Sequence, residues 1–104
     1  MSYMEDGEIE ISQGKQETVV KILVRFAAKH MHVIDTLAPA TDPEHLFVID
    51  LSQTRYLDSS GLGFLLRLRE QVKGTAKNLV VRGASLEMRT LLESAQFNRL
   101  FRIE

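Results

Sequence analysis

The sequence predicts the α/β class: a mixed, mostly parallel β-sheet with crossover helices, opened by an antiparallel hairpin. Three observations carry this. Glu8-Ile9-Glu10-Ile11 alternates polar and apolar residues, the period of a strand with one wet face. Leu46 to Leu51 is a nearly continuous apolar run broken only by Asp50, as in a strand covered on both faces. From residue 17 onward, strand-like runs alternate with segments of helical spacing, the pattern of parallel strands joined by crossover helices.

Taken in order, Gly7 to Ser12 reads as an outer strand, and Gln13-Gly14-Lys15 as a turn. Glu17 to Val24 supplies Val19, Val20, Ile22, Leu23 and Val24, a run suited to a more buried strand that pairs with the first. Ala27, Met31, Ile34 and Ala38 fall three or four apart, with Leu37 beside them, and mark one face of a helix that Pro39 ends. Pro39 to Glu44 is a loop, and Leu46 to Leu51 is the third strand. A second helix is expected over about Ser60 to Lys73. Leu62, Phe64, Leu65, Leu66, Leu68 and Val72 form its apolar arc, Gly63, Arg67, Glu70 and Gln71 face away, and Gly74 is a left-handed C-cap. Asn78 to Arg82 is a short buried strand. Ser85 caps a third helix whose stripe is Met88, Leu91, Leu92 and Ala95, and the apolar tail Phe97 to Ile103 docks as a short terminal strand.

The 104 residues fit one domain, residues 1–104, with one core. A net charge of −1 gives no electrostatic case for direct nucleic-acid binding, since proteins that grip phosphate backbones carry a basic surplus. With no cysteine there is neither a disulfide framework nor a thiolate metal site. No segment approaches the ~18 apolar residues of a spanning helix, and Met1 to Glu10 lacks a signal-peptide core, so the expectation is a cytoplasmic protein with no membrane contact.

Asp58-Ser59-Ser60-Gly61-Leu62-Gly63 is the most informative stretch. It falls where a buried strand hands over to a helix, at the carboxyl end of the strand where function gathers in such sheets. A helix N-terminus has unpaired N–H groups and roughly half a positive charge, so it can hold a phosphate. The residues leave two roles open for Asp58, Ser59 and Ser60: helix caps, or a site of modification at Ser59. Catalysis is disfavoured, because Leu57-Asp58-Ser59-Ser60-Gly61 lacks the first glycine of a nucleophile elbow. Gly61 and Gly63 are a poor nucleotide fingerprint, because Leu66 stands where a third glycine is needed. His30 and His32 lie on diverging sides of a helix and cannot share a metal ion. His45 has no partner evident in the sequence. Arg67, Arg82, Arg89, Arg99 and Arg102 are spread over several elements and read as solvated. No cofactor, metal or catalytic residue is expected.

In its apolar strand with Asp50, in Leu57-Asp58-Ser59-Ser60-Gly61-Leu62-Gly63 and in Asn98-Arg99-Leu100-Phe101-Arg102-Ile103, the chain resembles the anti-anti-sigma factors of the STAS domain family over about residues 7 to 103. The resemblance implies a switch component without enzymatic activity. In that family the serine after the aspartate is phosphorylated by an anti-sigma factor that is also a serine kinase, and a PP2C-type phosphatase reverses it. The unmodified form binds the anti-sigma factor and frees sigma. Carried over, the phosphoacceptor is Ser59, and Asp58, Ser60, Gly61, Leu62 and Gly63 form the partner-binding motif, with Gly61 to Gly63 as the helix start. Many members carry a glycine and an acid just after the second strand, where this chain reads Val24-Arg25-Phe26-Ala27. Arg25 is placed to meet a phosphate or an acidic partner residue. The alternative reading is a STAS scaffold or ligand-sensing subunit that is never phosphorylated and regulates a target other than sigma.

Overall fold

Six strands form one sheet in sequence order, β1 (Ser2–Glu5), β2 (Ile9–Gln13), β3 (Glu17–Ile22), β4 (Leu46–Asp50), β5 (Leu79–Arg82) and β6 (Arg102–Ile103). The structure is a computed structural model that describes residues 2–5, 9–23, 28–39 and 42–104, with the backbone alone for 2–5 and 28–30. β1, β2 and β3 pair antiparallel, and β3 to β6 run parallel. The expected hairpin is therefore β2–β3, turned at Gly14, whose N–H donates to the Glu17 carbonyl at 2.8 Å. Strand β1 was not expected; its backbone pairs with β2 from Ser2↔Gln13 to Glu5↔Glu10.

Each parallel connection steps one strand over in the same direction, so connections of one hand must all lie on one face of the sheet. The core agrees. Ile9, Ile11, Val20, Ile22, Phe47, Ile49, Leu79 and Val81, which project from that face, share one buried cluster with residues of every described helix. Val48 and Val80 are also buried but stand outside the cluster, on the opposite face. Asp50 shares their parity, which explains how an acid interrupts the apolar run without entering the core.

The segment expected as a first helix is a 3₁₀ helix, Ala28–Thr36, not an α-helix. At three residues per turn, i and i+3 eclipse, and Met31, Ile34 and Leu37 fall in one row. Ile34 and Leu37 are buried and Met31 is half-buried, whereas Ala38, expected on the buried face, is exposed. Helix α1 spans Ser59–Val72 and buries Gly61, Phe64, Leu65, Leu68 and Val72. It is stitched to the 3₁₀ helix by the Gln71 side-chain amide, which donates to the Leu37 carbonyl at 2.9 Å, and by Arg67 facing Asp35 at 3.4 Å. Its left-handed cap is Lys73 (φ 55°), not Gly74. Gly74 is needed for a different reason: a Cβ there would sit 2.6 Å from the buried Leu79 side chain. Helix α2 spans Leu86–Ser94; Ser85 caps it as expected, its Oγ accepting from the Met88 N–H at 3.1 Å. Met88 and Leu92 are buried, but Leu91 and Ala95 are exposed, so the apolar stripe is half the expected width.

Candidate functional site

The connection from β4 to α1 is held in place by residues before Ser59. Leu51 is buried, and the Thr54 N–H closes a turn onto its carbonyl at 3.0 Å. Thr54 is itself buried, and its hydroxyl donates to the Ile22 carbonyl at the end of β3 at 2.7 Å. Asp50 Oδ1 accepts from the Ser52 N–H at 2.9 Å, and Asp50 Oδ2 lies 4.0 Å from Arg82 Nη2. Burial raises the Asp50 pKa, but the Ser52 hydrogen bonds and the positive charges of Lys21 and Arg82 outweigh it and hold the carboxyl below its ordinary value. Glu10, Lys21, Asp50 and Arg82 stand in register across four strands, an alternating row of charge. Gly83 (φ +79°) completes the support: a Cβ there would lie 2.9 Å from the Ser52 Cβ and 3.0 Å from the Ser52 backbone nitrogen.

On this base α1 begins at Ser59, one residue before the expected start at Ser60, with Gly61 and Gly63 in its first two turns. Asp58 is the N-cap, with extended backbone and Oδ1 accepting from the Gly61 N–H at 3.1 Å, while its carbonyl accepts from the Leu62 N–H at 3.0 Å. The cap role expected for Asp58 is therefore present. Ser59 is exposed at the first helical position, and its hydroxyl makes no hydrogen bond among the described residues. Ser60 is half-buried, Gly61 buried, and Leu62 and Gly63 half-buried. Gly63 lies one turn beyond Ser59 on the same side of the helix. Beyond the helix's own backbone, a Cβ on it would meet nothing within 4 Å, so no described neighbour requires glycine there.

Arg25 and its neighbours Val24, Phe26 and Ala27 lie outside the described residues, as does the side chain of His30. His45, without a partner in the sequence, has two in the structure. Its Nδ1 is 3.2 Å from the Lys15 carbonyl, and its Nε2 is 2.8 Å from the Thr18 hydroxyl. A carbonyl only accepts, so Nδ1 donates to Lys15, and Nε2 shares the second hydrogen bond with the Thr18 hydroxyl. His45 precedes β4 and Ser59 follows it, and the two partners of His45 are Lys15 and Thr18, so no described bond links it to Ser59. Among the described residues no three His, Cys, Asp or Glu side chains gather as metal ligands, and no helix is long and apolar enough to cross a membrane.

Residues 9–102 match the family model described as "Mlab, STAS domain". The chain belongs to the STAS domain family. It is similar to a STAS-domain containing protein of Pseudomonas aeruginosa, with 34% identity over 93 residues that cover 88% of this chain and 92% of that protein. In fold it is similar to an anti-sigma factor antagonist from Mycobacterium paratuberculosis, with a TM-score of 0.66 at 20% identity, covering 91% of this chain and 82% of that one. The mixed, mostly parallel sheet with its crossover helices is thus the fold of this STAS family.

Proposed function

We propose that this STAS domain is an anti-sigma factor antagonist: a cytoplasmic, non-catalytic binding module whose hold on an anti-sigma factor, itself a serine kinase, is released by phosphorylation of Ser59 and restored by a PP2C-type phosphatase. The observation that carries this reading is the exposed Ser59 hydroxyl at the first position of α1, which bonds to none of the described residues. Asp58, Ser60, Gly61, Leu62 and Gly63 form the surrounding contact surface. Gly63 supports the reading because its bare backbone serves no internal packing and leaves room for a partner to approach.

Energetics favour an effect on the partner over an effect on the fold. A phosphate on Ser59 brings roughly −1.5 to −2 charges. The helix terminus attracts it by about 0.3–1 kcal/mol. The adjacent Asp58 carboxylate repels it by an amount of the same order, about 1 kcal/mol for charges a few ångströms apart in water. These terms nearly cancel, so the domain stays folded. Inside an interface, the same charge left poorly paired costs on the order of 2–5 kcal/mol, which is roughly a 30- to 4,000-fold loss of affinity.

The test is incubation with the candidate kinase and ATP, followed by mass spectrometry and binding measurements on the Ser59→Ala and Ser59→Asp variants. Ser59→Ala is expected to abolish phosphorylation and keep the partner, whereas Ser59→Asp releases it. Phosphate on Ser59→Ala refutes the residue assignment. Equal affinities for the two variants refute the charge mechanism and leave the unphosphorylated STAS scaffold or ligand-sensing subunit as the function.

A further inference from the structure

An open groove of about 430 Å³ runs between the β4–α1 connection and α2, its lining on the connection running from Arg55 to Leu57, two residues short of Ser59. Its apolar lining is Tyr56, Leu57, Met88 and Leu91, with Arg55 on one wall and Glu87 on the other. Tyr56 is 48% and Leu91 38% exposed, two of the four large apolar side chains that stand out in solvent among the described residues. Arg55 and Glu87 form no ion pair among the described residues. We infer that this groove is a second anchor, independent of the charge on Ser59, for the same partner that reads Ser59, and that its occupant is an amphipathic helix of that partner. The inference rests on the function proposed above.

Three observations fix the occupant. The α2 wall from Glu87 to Ser94 is about 10 Å long, two turns of helix, which suits two apolar side chains three or four residues apart. Opposite charges on the two walls call for a base near Glu87 and an acid near Arg55 on either side of that apolar pair. Finally, only Asp58 separates Leu57 from Ser59, so Cα of Ser59 is within about 8 Å of Cα of Leu57 in the groove lining, and a partner touching one reaches the other. A second copy of this chain fits poorly. Its exposed helical leucines are Leu66 alone on α1 and Leu86 and Leu91 on α2, five apart, so no described helix offers the required exposed pair.

The anchor gives the switch two parts. Phosphate at Ser59 removes one contact set while the groove remains apolar, so release is graded by charge and recapture does not begin from nothing. The test uses the purified candidate kinase, chosen only as a protein that binds the unmodified chain, with calorimetry on Ser59→Asp, Leu91→Glu and Ser94→Trp. Leu91 and Ser94 are exposed on α2, and circular dichroism checks the fold. Expected is a loss of about tenfold or more for each groove variant, the size of effect seen at anchor residues. Wild-type affinity for both groove variants, with Ser59→Asp still released, overturns the groove assignment and leaves the Ser59 reading standing. Retention of the partner by Ser59→Asp, with loss in Leu91→Glu, does the reverse. A wild-type dimer in sedimentation equilibrium that Leu91→Glu dissociates shows that a second copy covers the groove, and overturns the inference.

Discussion

Replacing Gly63 with alanine separates what the domain needs for itself from what it needs for a partner. The position lies within α1, where glycine is less favourable than alanine by about 1 kcal/mol. Beyond the helix's own backbone, the added Cβ meets no described atom within 4 Å, so no collision offsets the gain. Gly63→Ala is therefore expected to stabilise the isolated domain by about 0.5–1 kcal/mol, a rise in Tm of roughly 2–8 °C for a chain of this size. At a packed interface the same methyl group acts in the opposite direction. Overpacking costs about 1–3 kcal/mol, which corresponds to roughly 5- to 150-fold weaker partner binding. Thermal unfolding of the free protein and calorimetry with the partner read the two effects separately. Lower stability in the free protein refutes the packing analysis, and unchanged affinity refutes Gly63 as a contact.

Two further predictions concern the support beneath the site. Gly83→Ala forces a side chain into a left-handed backbone and into the Ser52 backbone, and is expected to cost about 2–4 kcal/mol, lowering Tm on the order of 10–30 °C in a thermal melt; a melt within a few degrees of wild type contradicts it. Asp50→Asn keeps an acceptor for Ser52 but loses the attraction of Lys21 and Arg82, and is expected to cost about 0.5–1.5 kcal/mol at pH 7 in urea unfolding. Because the folded pKa of Asp50 is lowered, its stabilisation is present above the ordinary aspartate value of about 3.9 and is lost as pH falls through the lower folded value. The gap between wild type and Asp50→Asn should accordingly close toward pH 3, and a gap that widens there refutes the assignment.

Much of this architecture is legible because burial writes a period into the chain. Phe47, Ile49, Leu79 and Val81 alternate with residues of the opposite face, and Phe64, Leu65, Leu68 and Val72 recur at α-helical spacing, so β4, β5 and α1 can be placed within a residue or two. Capping chemistry is equally local: Asp58 and Ser85 announce their helices through the side-chain oxygen each offers to an N–H three residues on. What was hidden depends on partners distant in sequence. The 3₁₀ form of Ala28–Thr36 has Met31 and Ile34 three apart, with Leu37 next in the row, but such short apolar spacing does not distinguish it from an α-helical face. Strand β1 exists through its pairing with β2, and no alternation in Ser2–Glu5 signals it. Gly74 reads as a cap by position, but its reason is Leu79, which reaches it across the following turn. In the site, the motif from Asp58 to Gly63 was legible, whereas the bond from Thr54 to the Ile22 carbonyl joins residues 32 apart and left no local trace. The groove beside Ser59 was also invisible, since Leu91 sits on an expected buried stripe and only the packing shows it exposed.

The most direct test compares the affinity of one partner for two forms of the purified chain, unmodified and stoichiometrically phosphorylated at Ser59, while amide chemical shifts monitor the fold. The account predicts binding weaker by roughly 30- to 4,000-fold, with shift changes confined to the start of α1 and the connection before it. Equal affinity for both forms, or unfolding on phosphorylation, contradicts it.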